Sequence, residues 1–357
     1  MLDDLNRIKK FDTGKVGESI SSLPLQMAQV LKESKTIKVP AEYKKINQVV
    51  IKGMGGSNLG AHIIMHAMAD QIKVPFSISP DYILPAHVNN KTLLVLSSYS
   101  GTTEEVLSVY AEAKKRQAKI VAIVSSGKSP LEKIVKRDKL PAYIFMPEAN
   151  PSNQPRLGLG YSILGIASLL SAAGLFKIDQ AELSKTIELL KDWDKRLNPQ
   201  SPAKSNEAKR LALGCFKKQP ILVGAEFLTG NLHAMRNQIC ENSKNFASYL
   251  PLPDLNHFAM EGLANPTTNP GDLAFIFFNS SLYSPRIQKR ARLTNEVVKK
   301  NKIATMEYLM KGETKLEQAF ELLQLGAWFS LYLGILNQVN PVEIKWVDWF
   351  KQKLAEN

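Results

Sequence analysis

Short apolar runs alternate with helix-like stretches along the chain, and this alternation restricts the fold more than any other feature. Strands joined by helices form parallel sheets with both faces covered, so the strands themselves are apolar. Any ligand then lies beyond the carboxyl ends of the strands. The sequence therefore predicts an α/β fold. The strand-like runs of the first half lie at 49–51, 76–78, 92–96, 120–124 and 143–145.

A second series of strand-like and helix-like segments repeats this architecture in the other half. Its strand-like runs lie at 221–225, 273–278 and 304–308, and its helix-like segments at 229–244, 291–300, about 316–338 and through Lys351. Each half is predicted to be a parallel sheet between two layers of helices, a three-layer α/β/α sandwich. The predicted division is an N-terminal helical segment (1–45), a first α/β domain (46–160), a helical connector (161–202) and a second α/β domain with C-terminal helices (203–357).

Composition favours a cytoplasmic protein that binds a small acidic molecule. Lys and Arg number 46 against 33 Asp and Glu, a net charge of +13, which produces a positive field around the molecule. The basic residues are scattered and show no zinc-finger spacing, so we expect no nucleic-acid site. Cys215 and Cys240 are too few for a disulfide framework, and the N-terminus lacks the apolar core of a signal peptide. No metal-ligand pattern is evident.

Two uncharged stretches, 157–176 and 322–342, are long enough to raise the question of a membrane. The first contains several glycine and serine residues, and the second contains glutamine and asparagine. We expect both to be buried helices of a large α/β core, and we expect no contact with a membrane.

Two glycine- and serine-containing runs sit where a strand leads into a helix, GMGGSNLG (53–60) and SSYSGTTEE (97–105). Glycine lets backbone amides approach an anion, hydroxyl groups add donors, and a helix N-terminus adds positive potential. Neither run is a Walker A loop or a strict GxGxxG fingerprint. A phosphate monoester on a small molecule is therefore predicted, although any one of these hydroxyl groups is also an ordinary helix cap. The predicted phosphate-binding residues are Gly56, Ser57, Ser98, Ser100 and Thr103.

Further runs extend the pattern to almost the whole chain, namely QPRLGLGY (154–161), CENSKN (240–245), DLNHF (254–258) and VDWFK (347–351). With the two glycine- and serine-containing runs, they give a sequence that resembles the bifunctional phosphoglucose/phosphomannose isomerases. That family is built from two sugar isomerase (SIS) domains. The resemblance implies an aldose-ketose isomerase that interconverts glucose 6-phosphate, and mannose 6-phosphate, with fructose 6-phosphate through a cis-enediolate. The implied reaction requires no metal or redox cofactor.

The resemblance also implies a role for each remaining site residue. Glu241 would be the base, and Arg156 would stabilise the enediolate. His257 and Lys351 would assist ring opening, with His257 supplied by the other subunit. The implied partner is therefore a second copy of the chain, in a homodimer with shared active sites, and the implied substrate is a hexose 6-phosphate.

The residues alone leave ordinary alternatives open. Arg156 could cap the domain surface, Glu241 could be an exposed helix residue paired with a lysine, and Lys351 could lie on a solvated helix face. A carboxylate near a helix C-terminus opposes the macrodipole, which favours a functional role for Glu241. Trp346, Trp349 and Phe350 are spaced so that one side of the last helix is expected to be buried, with Lys351 at the rim of a cleft.

Two other functions remain open, a non-catalytic sugar-phosphate-binding regulatory protein and an amino-sugar phosphate isomerase or deaminase. The regulator usually carries a DNA-binding helix-turn-helix, and no recognition helix is evident in residues 1–45. The family's Thr-Pro pair near the C-terminal lysine is replaced here by Asn340-Pro341. This departure weakens the prediction of mannose 6-phosphate activity more than that of glucose 6-phosphate activity.

Overall fold

The computed structural model describes residues 1–356, and Asn357, the last residue of the predicted second domain, lies outside the described residues. It contains two parallel sheets. The strands of the first sheet are β1 Gln48–Gly53, β2 Phe76–Ser79, β3 Thr92–Ser97, β4 Lys119–Ser125 and β5 Ala142–Phe145. The strands of the second sheet are β6 Gln219–Ala225, β7 Ser248–Leu252, β8 Leu273–Asn279 and β9 Ala304–Leu309.

Strand order is the same in the centre of both sheets. The first sheet has the order β2-β1-β3-β4-β5 and the second the order β7-β6-β8-β9, and all neighbouring strands are parallel. The first strand of each half is therefore central, and Gln48 pairs with Thr92 as Gln219 pairs with Leu273. This arrangement confirms the predicted α/β fold of two helix-covered parallel sheets.

Helices cover both sheets and join them. Those up to the end of the first half are α1 Leu5–Phe11, α2 Val16–Ser21, α3 Leu23–Glu33, α4 Gly56–Ala67, α5 Glu104–Ser108, α6 Tyr110–Lys115, α7 Pro130–Asp138, α8 Leu159–Ala172 and α9 Gln180–Leu197. Those of the second half are α10 Glu207–Cys215, α11 Thr229–Gln238, α12 Asn269–Asp272, α13 Pro285–Lys300, α14 Lys315–Leu336 and α15 Lys345–Ala355. The helical stretch that follows β3 is divided at Val109 into α5 and α6.

The two halves meet where α4 packs on α11. Positions counted from the first residues of β1 and β6 make Gly53 equivalent to Gly224 and His62 equivalent to His233. The rings of His62 and His233 stack with centroids 4.0 Å apart. A Cβ atom on Gly230 would collide with the His62 carbonyl oxygen, so glycine allows the helices this close approach.

Helix α14 forms the core between the halves. It packs on α9, α10 and α11, and Trp328, Phe329 and Tyr332 are fully buried along it. It is the one helix of residues 1–356 long and apolar enough to cross a membrane, and its most apolar window is entirely inside the protein. Both uncharged stretches thus form buried helices, as predicted, with α8 as the other.

The last helix does not match the sequence prediction. Trp346, Trp349 and Phe350 are 72%, 53% and 58% exposed, and no residue of α15 is buried. The expectation of a buried side is therefore wrong for the single chain. The aromatic spacing does mark an apolar helix face, but that face has no covering element among residues 1–356.

Candidate active site

The two glycine- and serine-containing runs lie side by side at the carboxyl ends of β1 and β3. Gly53 is paired with Ser97 in the strand register. The Ser97 hydroxyl donates to the Ser57 carbonyl oxygen at 2.7 Å, and the Tyr99 amide donates to the Ser57 hydroxyl oxygen at 2.7 Å. The runs are thus joined directly, and the Ser57 hydroxyl keeps its own hydrogen for a further acceptor.

The second run holds its hydroxyl groups in pairs. The Ser98 and Thr103 hydroxyl oxygens lie 2.7 Å apart, and the Gly101 amide donates to Ser98 Oγ at 3.0 Å. The hydroxyl oxygens of Ser100 and Thr102 lie 2.9 Å apart on the exposed side. Gly101 has φ +68°, a left-handed conformation that glycine adopts without strain. The turn therefore presents a cluster of hydroxyl groups at the start of α5.

Gly56, the first residue of α4, is where the first run meets Arg156. A Cβ atom on Gly56 would lie 2.6 Å from the Arg156 amide nitrogen and 2.7 Å from the Pro155 carbonyl carbon. Only glycine permits this approach of two backbones. The predicted phosphate site and Arg156 therefore lie against each other.

Arg156 is 1% exposed, so the surface interpretation of this residue does not hold. Its Nε donates to Asn242 Oδ1 at 2.6 Å. Its Nη2 donates to the carbonyl oxygens of Pro341 at 2.9 Å and Val342 at 3.1 Å. Burial lowers the pKa of Arg156, and the carboxylate of Glu241 opposes that shift. A buried guanidinium with this many acceptors is rigidly oriented.

Glu241 supplies the counter-charge from the other half of the chain. Arg156 Nη1 donates to Glu241 Oε2 at 3.1 Å and to Gln154 Oε1 at 2.7 Å. Glu241 lies in a π-helical turn, Ile239–Ser243, that continues α11, and its side chain is 28% exposed. The pair thus combines a buried cation with a carboxylate that solvent and a ligand can reach.

His257 and Lys351 are not joined to this pair within one chain. His257 ends a short 3₁₀ turn, Asp254–His257, and Lys351 lies on α15. Both are exposed, and neither side chain makes a hydrogen bond or ion pair with any residue from 1 to 356. The structure therefore brings Arg156 and Glu241 together and leaves His257 and Lys351 at the surface.

Two site residues were missed in the sequence. Asn242 accepts from Arg156 and donates through Nδ2 to Ser330 Oγ at 2.9 Å. Lys244 Nζ donates to three carbonyl oxygens, including that of Glu241 at 2.8 Å. The polar run at 240–245 after helix α11 was the available signal, but it pointed to Glu241 alone.

The equivalent turn of the second half is closed by its own side chain. Glu226 stands at the position equivalent to Gly55 with nearly the same φ, 47° against 48°. Its carboxylate accepts from the Ser284 amide at 3.2 Å and from the Ser284 hydroxyl at 2.7 Å. Ser284 is equivalent to Thr103 when positions are counted from the first residues of β3 and β8. Of the two turns, the first is therefore the one open to an added anion.

Family models match both halves of the chain. The model described as "SIS domain" matches residues 42–140, and "Bacterial phospho-glucose isomerase C-terminal SIS domain" matches residues 204–354. The two sheets and these matches define a protein built from two sugar isomerase domains.

Relatives of known name extend over nearly the whole chain. A bifunctional phosphoglucose/phosphomannose isomerase from Caldicellulosiruptor bescii is 35% identical over 341 residues, which cover 95% of this chain and 98% of that protein. Another, from Aquifex aeolicus, is 26% identical and covers 87% and 91%. The chain belongs to the bifunctional phosphoglucose/phosphomannose isomerase family, which confirms the resemblance found in the sequence.

Solved structures share the fold at low sequence identity. A hypothetical protein from Thermus thermophilus aligns with a TM-score of 0.75 and 17% identity, over 98% of this chain and 94% of that one. A glucose-6-phosphate isomerase from Chlamydia trachomatis aligns with a TM-score of 0.67 and 14% identity, over 93% and 72%. These likenesses support the two-domain α/β architecture.

Proposed function

We propose that the chain interconverts glucose 6-phosphate and mannose 6-phosphate with fructose 6-phosphate. The observation that carries the proposal is the ion pair between buried Arg156 and accessible Glu241, 3.1 Å apart. The main chain of Arg156 lies against Gly56, and the run that contains Gly56 is hydrogen-bonded through Ser57 to the run that carries the hydroxyl cluster. A base and a fixed cation next to an anchoring site suit a proton transfer within a phosphosugar. Relatives in this family are named for the same two activities.

The phosphate is anchored at the first half of the site. The Gly56 amide at the N-terminus of the twelve-residue helix α4 provides positive potential, and hydroxyl groups provide donors. The contributing side chains are Ser57, Ser98, Ser100 and Thr103. Anchoring one end of the sugar makes the reaction at the other end effectively intramolecular.

The proton transfer takes place at the Arg156–Glu241 pair. The Glu241 carboxylate removes the proton from C2 of the open-chain aldose, which leaves an enediolate with its charge on O1. Arg156 stabilises that charge, because a buried guanidinium acts in a low-dielectric environment. A proton passes from O2 to O1, and Glu241 returns its proton to C1 to give the ketose. No electron acceptor is involved.

Ring opening is assigned to His257 and Lys351 in a homodimer. His257 is exposed and has no partner within residues 1–356, and a histidine is suited to proton transfer near neutral pH. We propose that the His257 of each subunit acts in the site of the other. The exposed aromatic face of α15 supports such an assembly, because large apolar patches commonly mark interfaces. Lys351 on α15 then assists at the ring oxygen.

A coupled assay with fructose 6-phosphate tests the proposal when glucose 6-phosphate and mannose 6-phosphate are detected separately. The wild type should form both products. Glu241→Gln should lose at least about a hundredfold in kcat, since it removes the base and keeps the shape. Glu296→Gln is the matched control, because Glu296 pairs with Arg292 on an exposed helix face.

Three outcomes separate the alternatives. Phosphosugar binding without turnover in the wild type would favour the regulatory protein. Turnover of an amino-sugar phosphate alone would favour the amino-sugar isomerase or deaminase. Formation of glucose 6-phosphate without mannose 6-phosphate would indicate that the replacement of the family's threonine by Asn340 removes the mannose activity. The carbonyl groups of residues 340–342 accept hydrogen bonds from Lys244 and Arg156, so this segment contacts the candidate site. The proposed reaction belongs in the cytoplasm, where hexose phosphates are found.

A further inference from the structure

Lys244 is a charged residue of the candidate site that the proposed reaction does not use. It directly follows the π-helical turn that carries Glu241, in a left-handed conformation with φ 52°. Its Nζ donates to the carbonyl oxygens of Glu241 at 2.8 Å, Asn340 at 2.7 Å and Pro341 at 3.2 Å. These acceptors match the three N–H groups of an ammonium. Lys244 therefore ties the Glu241 turn to the segment that follows α14.

The tied segment, residues 340–342, is also held by Arg156. Arg156 Nη2 donates to the carbonyl oxygens of Pro341 and Val342. Two cations thus meet at the single carbonyl oxygen of Pro341. A shift of this segment would remove acceptors from one edge of the guanidinium, whose other edge contacts Glu241. The orientation of the Arg156–Glu241 pair therefore depends on where the segment lies.

The charges around Lys244 are mixed. Although Lys244 as a whole residue is exposed, partial burial of its ammonium and the nearby Arg156 guanidinium lower the pKa of Lys244 to about 8, and Glu343 and Glu241 oppose this shift. The carboxylate of Asp348, like that of Glu241, raises the pKa of Arg156 against the effect of burial. Lys244 is thus mainly charged at pH 7 and loses its charge above about pH 8.

We propose that Lys244 is a positioning residue of this site, which fixes the separation between the Glu241 turn and the 340–342 segment and so orients the Arg156–Glu241 pair. The proposal rests on the proposed isomerase function. Lys244 transfers no proton itself and acts through Glu241 and Arg156. The Lys244 ammonium donates to backbone carbonyl oxygens and, among residues 1–356, to no carboxylate. It therefore links two backbone segments.

Three variants of the full-length protein test this role with fructose 6-phosphate as substrate. Lys244→Met should lower kcat at least about tenfold and change KM less than about threefold, since the phosphate-binding runs lie elsewhere. Lys244→Arg should restore kcat to within about threefold of wild type, since it keeps a charged donor. Lys218→Met is the control, because Lys218 Nζ also donates to two carbonyl oxygens, those of Pro270 at 3.0 Å and Gly271 at 2.9 Å.

The pH dependence of kcat distinguishes a positioning role of Lys244 from a role in folding alone. Wild-type kcat should fall above about pH 8 as Lys244 loses its charge, and this decline should move to higher pH in Lys244→Arg. The proposal would be overturned if Lys244→Met had the same kcat as the wild type. It would also be overturned if the decline of kcat in Lys244→Arg occurred at the same pH as in the wild type. If Lys244→Met does not fold, the profile of Lys244→Arg decides. A wild type inactive on every hexose 6-phosphate would instead refute the proposed function, and this role with it.

Discussion

At the scale of single residues, the site depends on one contact between two backbones. Gly56 lies against the main chain of Pro155 and Arg156, so the predicted phosphate-binding run and the Arg156 main chain cannot move independently. The guanidinium is further held by Asn242 and by the 340–342 segment. In the proposed reaction, this packing sets the distance between the anchored phosphate and the reacting carbons.

Gly56→Ala should disturb this contact. The added methyl group meets backbone atoms at 2.6 and 2.7 Å, and backbone cannot turn away as a flexible side chain can. We expect a loss of about 1–3 kcal/mol in the free energy of unfolding and at least about a tenfold loss of kcat. Urea unfolding and the isomerase assay measure both. Gly262→Ala is the control, since nothing lies within 4 Å of its Cβ position, and wild-type behaviour of Gly56→Ala would refute the contact's importance.

How far these residues were predictable depends on their separation along the chain. The hydroxyl cluster was accessible because Ser98 and Thr103 belong to one local turn. The contact between Arg156 and Glu241 spans 85 positions, and no local pattern encodes it. The resemblance supplied their roles, and the structure supplied the pairing. Lys244 was missed because its partners at 340 and 341 lie almost a hundred positions away.

At the scale of elements, helix α15 is the part of the chain that lacks a covering surface. Its apolar residues Trp346, Trp349, Phe350 and Leu354 are all more than half exposed. The long apolar helix α14, in contrast, has its most apolar window entirely inside the protein. An exposed amphipathic helix next to a buried core is explained if α15 packs on a second copy of the chain.

Trp349→Glu should therefore dissociate the proposed dimer without unfolding the chain. The side chain is 53% exposed in the single chain, so we expect a change below about 0.5 kcal/mol in its unfolding free energy. Light scattering after size-exclusion chromatography should show the wild type as a dimer and the variant as a monomer. Leu25→Glu, at a 59% exposed position on α3, should remain a dimer. A dimeric Trp349→Glu would exclude α15 from the interface.

Strands could be predicted from the sequence where nearly every residue of a short run is buried. β1, β3 and β4 are buried almost throughout and were found from their apolar runs. β7 was missed because it is a partly buried edge strand that contains Pro251. α15 was expected to be half buried because its spacing shows an apolar face, but spacing does not reveal what covers that face. The domain boundaries at 45, 160 and 202 stay a prediction.

At the scale of the whole molecule, two equivalent histidines join the halves. His62 on α4 and His233 on α11 stack beside Arg236 and His66. Burial, then neighbouring positive groups, lower the pKa of His62 to about 4 and that of His233 to about 3. Both rings are therefore neutral at neutral pH, and protonation would place two like charges in the interface.

Stability should fall as the pH falls below about 6.5. In that range the unfolded chain, with histidine pKa values near 6.5, binds protons that the folded chain does not, down to about pH 4. We expect each histidine to contribute roughly 1 kcal/mol of this loss between pH 7 and pH 5, after allowance for solvent screening of the partly buried rings. Urea unfolding at pH 7.5 and pH 5 measures the loss.

The variants His62→Phe and His233→Phe keep an aromatic stack and remove the titrating groups. Each should lose less stability than the wild type between pH 7.5 and pH 5. His87→Phe, at an exposed position in the first half, should lose as much as the wild type. An equal loss in all four proteins would assign the pH dependence to other groups.

Glu241 is tested as the base by following the proton that it transfers. Because the Glu241 side chain is 28% exposed, a proton that it carries between C2 and C1 should exchange with solvent. Fructose 6-phosphate converted in deuterium oxide should therefore give glucose 6-phosphate and mannose 6-phosphate with deuterium at C2, detected by mass spectrometry and NMR. Glu241→Gln should form these products at least about a hundredfold more slowly. Products without deuterium at C2, or labelled products from Glu241→Gln at the wild-type rate, would contradict Glu241 as the base.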